Sequence, residues 1–252
     1  ESYTTAHRHV VAGTTPPGLL PGYPTGSTPS HRLSALASRM LRQAGAEVDE
    51  TTACGLGGGI GFMYAVFEYR QLDHPLLTIV MQHHPQPWSE AVAQHLGLPL
   101  RTQHSSSPRA ARAKLDAELA AGRAVELLVA RGGLPWHADV PELEAAEPYP
   151  VVVAGAHGDR YLVDDLGPRP EEVPADVLIE AWAGHRKGRF ALATFEEGAV
   201  TDRAESVRAA LGTTSRHLTG PVLGNTFDVN FGLSGMAKLA AELRDTRTRH
   251  GW

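Results

Sequence analysis

The residues best placed to do chemistry lie in a glycine-rich run, Cys54 to Phe62, which begins with the single cysteine of the chain. Five of its nine residues are glycine, so its backbone can approach a ligand closely or form turns that other residues disfavour. The run lacks the lysine of a Walker loop, and Ile60 stands where a dinucleotide fingerprint needs its third glycine. We therefore favour a sharp structural loop between a helix and a hairpin over a nucleotide site, and we expect no cofactor.

Other reactive side chains give weaker signals. A nucleophilic thiol needs a helix N-terminus or a paired histidine, and the sequence around Cys54 shows neither, so we interpret it as a small buried residue. His83-His84 and Trp136-His137 suggest metal ligands, but neighbouring residues of a strand point to opposite sides. No H-E-x-x-H or Cys/His set accompanies them, and we expect no metal. For Asp164-Asp165, at a strand end, we expect one buried and one exposed carboxylate.

Composition and charge limit the classes of protein to which this chain can belong. The chain has 252 residues, 42% hydrophobic and 20% charged, with a net charge of -5 and a pI of about 6.2. Its arginines are scattered, so we expect no nucleic-acid partner. No apolar run approaches the ~20 residues that span a bilayer, so we expect no membrane partner, and the first 30 residues lack the pattern of a signal peptide. One cysteine fits a reducing compartment, and we predict a cytoplasmic location.

The order of predicted elements is a helix, then mixed strands, then helices, which is typical of an α+β fold. An apolar stripe with a 3.6-residue period predicts the first helix, which ends at Gly45. Gly158-Asp159 predicts a tight hairpin turn. The predicted helices are 31–43, 89–96, 108–121 and 175–183, with two more from about residue 201, and the predicted strands are 62–69, 76–82, 98–103, 124–130, 151–156, 160–164 and 189–195.

Shifts in composition divide the chain into three parts. Residues 1–30 are rich in Pro, Gly, Ser and Thr and predict an extended arm. Residues 31–198 form the predicted main domain, and a break near Gly198 separates it from a helical region, 199–252. For the helix from Gly232 to Leu243 we expect its small and apolar face to pack on the main domain or on a second copy, which leaves a homodimer open.

An N-terminal helix leads to the run Gly55-Leu56-Gly57-Gly58-Gly59-Ile60-Gly61-Phe62 and then to an aromatic strand. This arrangement resembles the butirosin-biosynthesis acyltransferase (BtrH-like) family. Further matches are Leu96-Gly97-Leu98, Ala121-Gly122-Arg123-Ala124-Val125, Leu134-Pro135-Trp136, Val151 to Gly155 and Tyr161-Leu162-Val163-Asp164-Asp165. The tail Asn230-Phe231-Gly232-Leu233-Ser234-Gly235 resembles the helical second domain that usually follows, so that domain is here predicted to be incomplete. The resemblance covers about residues 28–250.

The resemblance implies a papain-like, cysteine-peptidase-like fold, with a mixed or antiparallel sheet, an N-terminal helix and a helical C-terminal appendage. It also implies natural-product biosynthesis, in which an aminoacyl group moves from a carrier protein to an amine through a cysteine thioester. In that family the catalytic cysteine lies at the start of the first helix, where the helix dipole favours a thiolate. A histidine at the start of the central strand is the base, and an Asp or Asn on the next strand orients it.

Carrying these roles over gives an unexpected result. Counting back thirteen residues from Gly45 places Arg32 at the nucleophile position, with His31 before it, and counting back six from Gly155 places Tyr149 at the base position. Only Asp165 matches the family's orienting residue. Because an arginine cannot act as a nucleophile at neutral pH, the thiol and the imidazole are both predicted to be replaced.

Three hypotheses follow for this cleft. In the first, Arg32, Tyr149 and Asp165 perform acid–base or polarising chemistry (cyclisation, elimination or transfer without a covalent intermediate), with His31 as an optional base. In the second, acyl transfer persists on a substitute nucleophile such as Ser30, Ser34 or Cys54. In the third, the chain is a pseudoenzyme that binds a carrier protein. The predicted substrate is a small molecule, free or carrier-bound, and its predicted contacts are Gly57, Gly58, Gly59, Trp136 and Asn230.

Overall fold

A computed structural model of the chain describes residues 15–26, 29–68, 73–80, 88–140, 148–185 and 190–244. Its described part contains a six-stranded sheet in the order β3-β8-β4-β5-β6-β7, in which every neighbouring pair is antiparallel. A separate two-stranded sheet pairs β1 with β2. The strands are β1 (Met63–Phe67), β2 (Leu76–Val80), β3 (Leu100–Gln103), β4 (Val125–Ala130), β5 (Pro148–His157), β6 (Arg160–Asp164), β7 (Glu171–Pro174) and β8 (Leu192–Phe195).

Seven α-helices lie within the described residues. They are α1 (Arg32–Gln43), α2 (Glu50–Leu56), α3 (Trp88–Leu96), α4 (Pro108–Ala120), α5 (Ala175–Gly184), α6 (Arg203–Thr219) and α7 (Gly232–Arg244). Short 3-10 turns occupy Arg131–Gly133, Pro135–His137 and Thr226–Asn230. The α+β class, with an N-terminal helix, an antiparallel sheet and C-terminal helices, is therefore confirmed.

The centre of the sheet forms where the sequence is most apolar. Residues 151–154 of β5 are fully buried, and each buried valine side chain contributes about 1.5–3 kcal/mol to the stability of the fold. The predicted turn at Gly158-Asp159 joins β5 to β6, because His157 pairs with Arg160 and Gly158 adopts a left-handed φ of 59°. This hairpin fixes the register of Tyr149 on β5 relative to Asp164 at the end of β6 and Asp165 directly after it.

Helix α1 packs its apolar stripe, which includes Leu36, Met40 and Leu41, into the core. It ends as predicted, because Gly45 follows with a φ of 87°. At the other end Glu50 of α2 accepts hydrogen bonds from the backbone N–H groups of Ser30 and His31, at 2.8 and 2.6 Å. A carboxylate at this position stabilises the positive end of the helix dipole, so α1 has a fixed starting point.

Two elements differ from the sequence-based expectation. Residues 50–56, which we treated as loop, form α2, so Cys54 lies in a helix and the glycine-rich run begins as helix rather than as loop. The β-branched Thr51 and Thr52 disfavour a helix, but Asp49 caps its N-terminus through a 2.7 Å bond from Thr52 N–H. Strand β7 was also missed, since it is short and carries two glutamates.

The described part of the N-terminal arm is clamped on the sheet. Leu19 forms an isolated bridge with Gly155, and Leu20 N–H donates to the carbonyl of Ala154 at 2.9 Å. Gly155 allows this approach, because a Cβ there would lie 2.1 Å from the carbonyl oxygen of Gly18. Further along, the buried Tyr23 donates to Asp164 at 2.6 Å. The arm is thus part of the main fold at these residues.

The C-terminal helices contact the main fold at several points. Helix α6 packs on α2 and α3, and α7 packs on β1. Gly235 lies against the carbonyl of Asn230 and the ring of Phe62, so the small face of α7 turns inward as expected, whereas Leu233 and Leu243 are each 56% exposed. The division at Gly198 and the homodimer stay predictions. Among the described residues, no helix has the length and apolar character to cross a bilayer.

Candidate functional site

The start of α1, the strand β5 and the residue after β6 meet at one point. Arg32 is the first residue of α1, and its Nη2 donates to Asp165 Oδ1 and to the carbonyl of Pro150, to which Nε also donates at 3.2 Å. Its Cζ lies 3.9 Å from the centroid of the Tyr149 ring. A guanidinium over an aromatic face is attracted by the ring quadrupole, so Arg32, Tyr149 and Asp165 form one cluster, as the sequence predicts.

Asp165 is the centre of this cluster. Only 8% of its side chain is exposed. Besides the bond from Arg32, its Oδ2 accepts from Trp136 Nε1 at 2.6 Å and from His137 Nε2 at 2.9 Å. Three donors from two parts of the chain hold the carboxylate in place, which is what an orienting carboxylate requires.

His137 completes the cluster and was not among the predicted site residues. Its Nε2 lies 3.1 Å from the Tyr149 hydroxyl oxygen, and the two rings meet edge to face at 5.1 Å. The 3-10 turn Pro135–His137 presents it, and this turn is anchored by the fully buried Leu134. The pair Trp136-His137 is visible in the sequence, where it suggests metal ligands rather than a partner of Asp165. No group of three or more metal-binding side chains occurs among the described residues.

Tyr149 is held in its protonated form. Burial raises the pKa of its hydroxyl, and Asp165 raises it further, while Arg32 and Arg131 act in the opposite direction. Arg131 lies with its Cζ 5.1 Å from the centroid of the same ring. A tyrosine that keeps its proton above neutral pH can donate a hydrogen bond or a proton.

The other predicted catalytic residue, His31, points to a different set of contacts. Its Nδ1 lies 2.6 Å from Ser34 Oγ, and its ring lies 5.0 Å from that of Trp88. No hydrogen bond joins His31 to Asp165 among the described residues. The Ser34 hydroxyl is within proton-transfer distance of His31. Because Ser34 is fully buried, this hydroxyl has no access to solvent.

The glycine-rich run packs against its own surroundings. A Cβ on Gly57 would lie 2.2 Å from the Trp88 ring, and one on Gly59 would lie 2.2 Å from Cys54 Sγ. Gly58 takes a φ of 86°. These positions need glycine for packing and turn geometry, which agrees with a structural loop. Contact with a substrate at Gly57, Gly58 and Gly59 stays a prediction.

The two remaining predicted contacts fall in different places. Trp136 belongs to the cluster through its bond to Asp165. Asn230 is buried, donates to the carbonyl of Phe227 at 2.9 Å and accepts from Lys238 Nζ at 2.7 Å. No hydrogen bond links Asn230 to Asp165 in the described part of the chain, and substrate contact there also stays a prediction. His83-His84 lies outside the described residues.

The sequence matches the model of a known protein family. The model of the N-terminal domain of butirosin biosynthesis protein H matches residues 31–166, more than half of the chain. Among solved structures, one described as a C39-like peptidase from Bacillus anthracis is similar at a TM-score of 0.48 and 14% identity, covering 72% of this chain and 98% of its own. No curated protein matches the chain.

Proposed function

Since the chain belongs to the family of the N-terminal domain of butirosin biosynthesis protein H, we propose that it is an enzyme of natural-product biosynthesis derived from an acyl or aminoacyl transferase. The proposal adds that its chemistry proceeds without a covalent intermediate. The observation that carries it is the cluster at Asp165, which joins Arg32 from α1 and Tyr149 from β5. The substrate is a small molecule, free or bound to a carrier protein.

The family resemblance places a thiol at the start of α1 and an imidazole on β5, and this chain has Arg32 and Tyr149 at those positions. Neither a guanidinium nor a protonated phenol attacks an acyl group at neutral pH. We infer that the two reactive groups of the transferase were replaced, so no acyl-enzyme forms on these residues.

Arg32 and Tyr149 can both donate to a substrate. Arg32 Nη1 has no hydrogen-bond partner among the described residues, and 26% of the side chain is exposed. It can therefore donate to an oxygen that gains negative charge in a transition state. Tyr149 supplies a proton donor, because burial keeps its pKa high. The same pair suits cyclisation, elimination and direct transfer.

Two observations favour other functions. Arg32 is already bonded to Asp165 and Pro150 and packed on Tyr149, which favours a pseudoenzyme whose cluster is only structural. Ser34 Oγ and His31 Nδ1 lie 2.6 Å apart, which favours acyl transfer on a serine. The burial of Ser34 argues against the second alternative, since a nucleophile must reach its substrate.

An aminoacyl thioester of N-acetylcysteamine with a primary amine tests the proposal. We expect amide formation and thiol release by chromatography and mass spectrometry, with no increase in the intact mass of the protein. Arg32→Met and Tyr149→Phe should each lower the rate by about 100-fold, the usual loss for one oxyanion or proton donor. Arg42→Met is the matched control, because Arg42 lies on the same helix with half of its side chain exposed.

Each contrary outcome identifies a different alternative. An acyl adduct mapped to Ser34 or Cys54 would show a substitute nucleophile. Absence of turnover by the wild-type protein would refute the enzyme as proposed, and binding of an aminoacyl carrier protein in that case would favour the scaffold. Equal losses in Arg42→Met and Arg32→Met would assign the effect to α1 stability rather than to the site.

A further inference from the structure

The optional base His31 contacts Ser34 and Trp88 rather than Asp165, and the cluster contains another histidine that neither the family resemblance nor its motifs assign. His137 lies on the turn Pro135–His137, on a different element from the family's strand imidazole. Its Nε2 nevertheless lies 2.9 Å from Asp165 Oδ2 and 3.1 Å from Tyr149 Oη. The imidazole thus reaches the orienting carboxylate from another direction.

The contacts of Nε2 define which nitrogen carries the proton. A carboxylate accepts but does not donate, so a lone pair on Nε2 facing Oδ2 would be repelled, whereas Nε2–H is attracted. The neutral ring is then the Nε2–H tautomer, and its basic atom is Nδ1. Nδ1 has no hydrogen-bond partner in the described part of the chain, and 18% of the side chain is exposed.

The same contacts tie Tyr149 to the carboxylate. When Nε2–H points between Asp165 Oδ2 and Tyr149 Oη, the phenol oxygen accepts from it. Burial raises the pKa of the Tyr149 hydroxyl, and hydrogen bonding to Asp165 adds to the increase, so the phenol keeps its proton. The charged groups around the ring are Asp165, Arg32 and, over Tyr149, Arg131.

We propose that His137 is the catalytic base of this site, with Nδ1 as the proton-accepting atom and Asp165 as the residue that fixes its tautomer. The inference rests on the proposed function. In transfer from a thioester, the amine nitrogen forms the new C–N bond and its proton passes to Nδ1. The C–S bond breaks, and the leaving sulfur takes that proton back from Nδ1–H. Arg32 holds the carbonyl oxygen while it carries negative charge.

Activity of His137 variants in the thioester assay tests this role. His137→Ala should lower the rate by about 100-fold or more, as expected for loss of a general base. Added imidazole should restore part of the rate, and more basic imidazoles should restore more of it, which a structural role would not produce. His137→Gln should also lose the acid limb of the pH–rate profile. His157→Gln is the control, because His157 is an exposed histidine on the β5–β6 hairpin.

A measurement without substrate separates this inference from the proposed function. Two-bond ¹H–¹⁵N spectra of ¹⁵N-histidine-labelled protein, assigned by the signal lost in His137→Gln, should show the Nε2–H tautomer for the neutral ring. An Nδ1–H tautomer would overturn the assignment, whatever the activity. An active wild type with a fully active His137→Ala variant would refute the base alone, and an inactive wild type would refute the proposed function.

Discussion

Two neighbouring aspartates at the end of β6 serve opposite purposes. Asp164 is fully buried and binds Arg39 of α1 through both oxygens, at 2.6 and 2.7 Å. Asp165 binds Arg32 of the same helix, seven residues before Arg39, at the centre of a partly exposed cluster. The side chains bonded to Asp164, those of Arg39 and Tyr23, are also buried, whereas 26% of the Arg32 side chain faces solvent.

The buried Arg39–Asp164 pair supports the partly exposed Arg32–Asp165 pair. Asp164 Oδ1 also accepts from Leu166 N–H at 2.8 Å, and Leu166 adopts a left-handed φ of 64°. A non-glycine residue in that conformation costs about 1–2 kcal/mol, which the hydrogen bond offsets. The turn so formed directs Asp165 toward Tyr149 and His137. Asp164 is thus a structural carboxylate and Asp165 an organising one.

Removing the buried cation should have the largest effect on stability. Arg39→Met leaves the Asp164 carboxylate buried without its counter-charge, which we expect to cost about 3–5 kcal/mol of unfolding free energy. Urea unfolding followed by circular dichroism measures this change. Arg42→Met should cost under about 0.5 kcal/mol, because its pair with Glu47 is exposed. Similar losses in the two variants would contradict the structural assignment of Asp164.

Removing the second arginine should affect activity instead. Arg32→Met should lower the thioester transfer rate by about 100-fold, while the unfolding free energy falls by only about 1 kcal/mol, because the pair is partly screened by solvent. The transfer rate and the unfolding free energy are measured on the same protein preparations. A stability loss equal to that of Arg39→Met would show that both pairs are structural.

Tyr23, which donates to Asp164, should contribute less to the unfolding free energy than Arg39 does. Tyr23→Phe should cost about 1–2 kcal/mol at pH 7, since it removes one hydrogen bond to a buried charge. Burial, and then Asp164, raises the pKa of Tyr23 well above its usual value. The contribution is therefore complete below about pH 10, where the unfolded tyrosine begins to ionise, and declines as pH rises toward the folded pKa. Urea midpoints between pH 8 and 11 should converge for wild type and Tyr23→Phe.

The smallest expected effect is on the ionisation of Tyr149. Burial is the main cause of its raised pKa, Asp165 adds to it and Arg32 reduces it. The pKa should consequently rise further in Arg32→Met and fall in Asp165→Asn. Ultraviolet titration at alkaline pH, with Tyr149→Phe to identify the signal, measures both shifts. Movement of the pKa in the same direction in both variants would contradict the arrangement described.

The sequence anticipated the parts of the fold that depend on local pattern. The stripe of α1 with its end at Gly45 and the hairpin at Gly158-Asp159 are confirmed. One carboxylate of Asp164-Asp165 was expected to be buried and the other exposed, yet both side chains are largely buried, because Trp136 and His137 cover Asp165. That covering is a contact between distant segments, which periodicity does not encode.

The cluster was predicted only in part. Arg32 and Tyr149 were located by counting back from Gly45 and Gly155 to the positions that the family resemblance implies, and Asp165 by its match to the family's orienting residue. His137 lies on a 3-10 turn without a periodic pattern, and nothing local indicates that its ring reaches Asp165. Helix α2 was missed because its Thr and Gly residues disfavour a helix, and the cap at Asp49 was not weighed.

The seven-residue spacing of Arg32 and Arg39 sets the positions of two ion pairs along α1. Seven residues advance an α-helix by nearly two turns, about 10.5 Å, so both guanidinium groups leave the same side of α1. Inserting one residue between them would rotate Arg32 by about 100° relative to Arg39. An insertion directly after Arg32 would leave the Arg39–Asp164 pair and the buried stripe of Leu36, Met40 and Leu41 in register, and only the Arg32–Asp165 pair would be lost. Tolerance to such an insertion therefore tells whether selection acts on the fold or on the site.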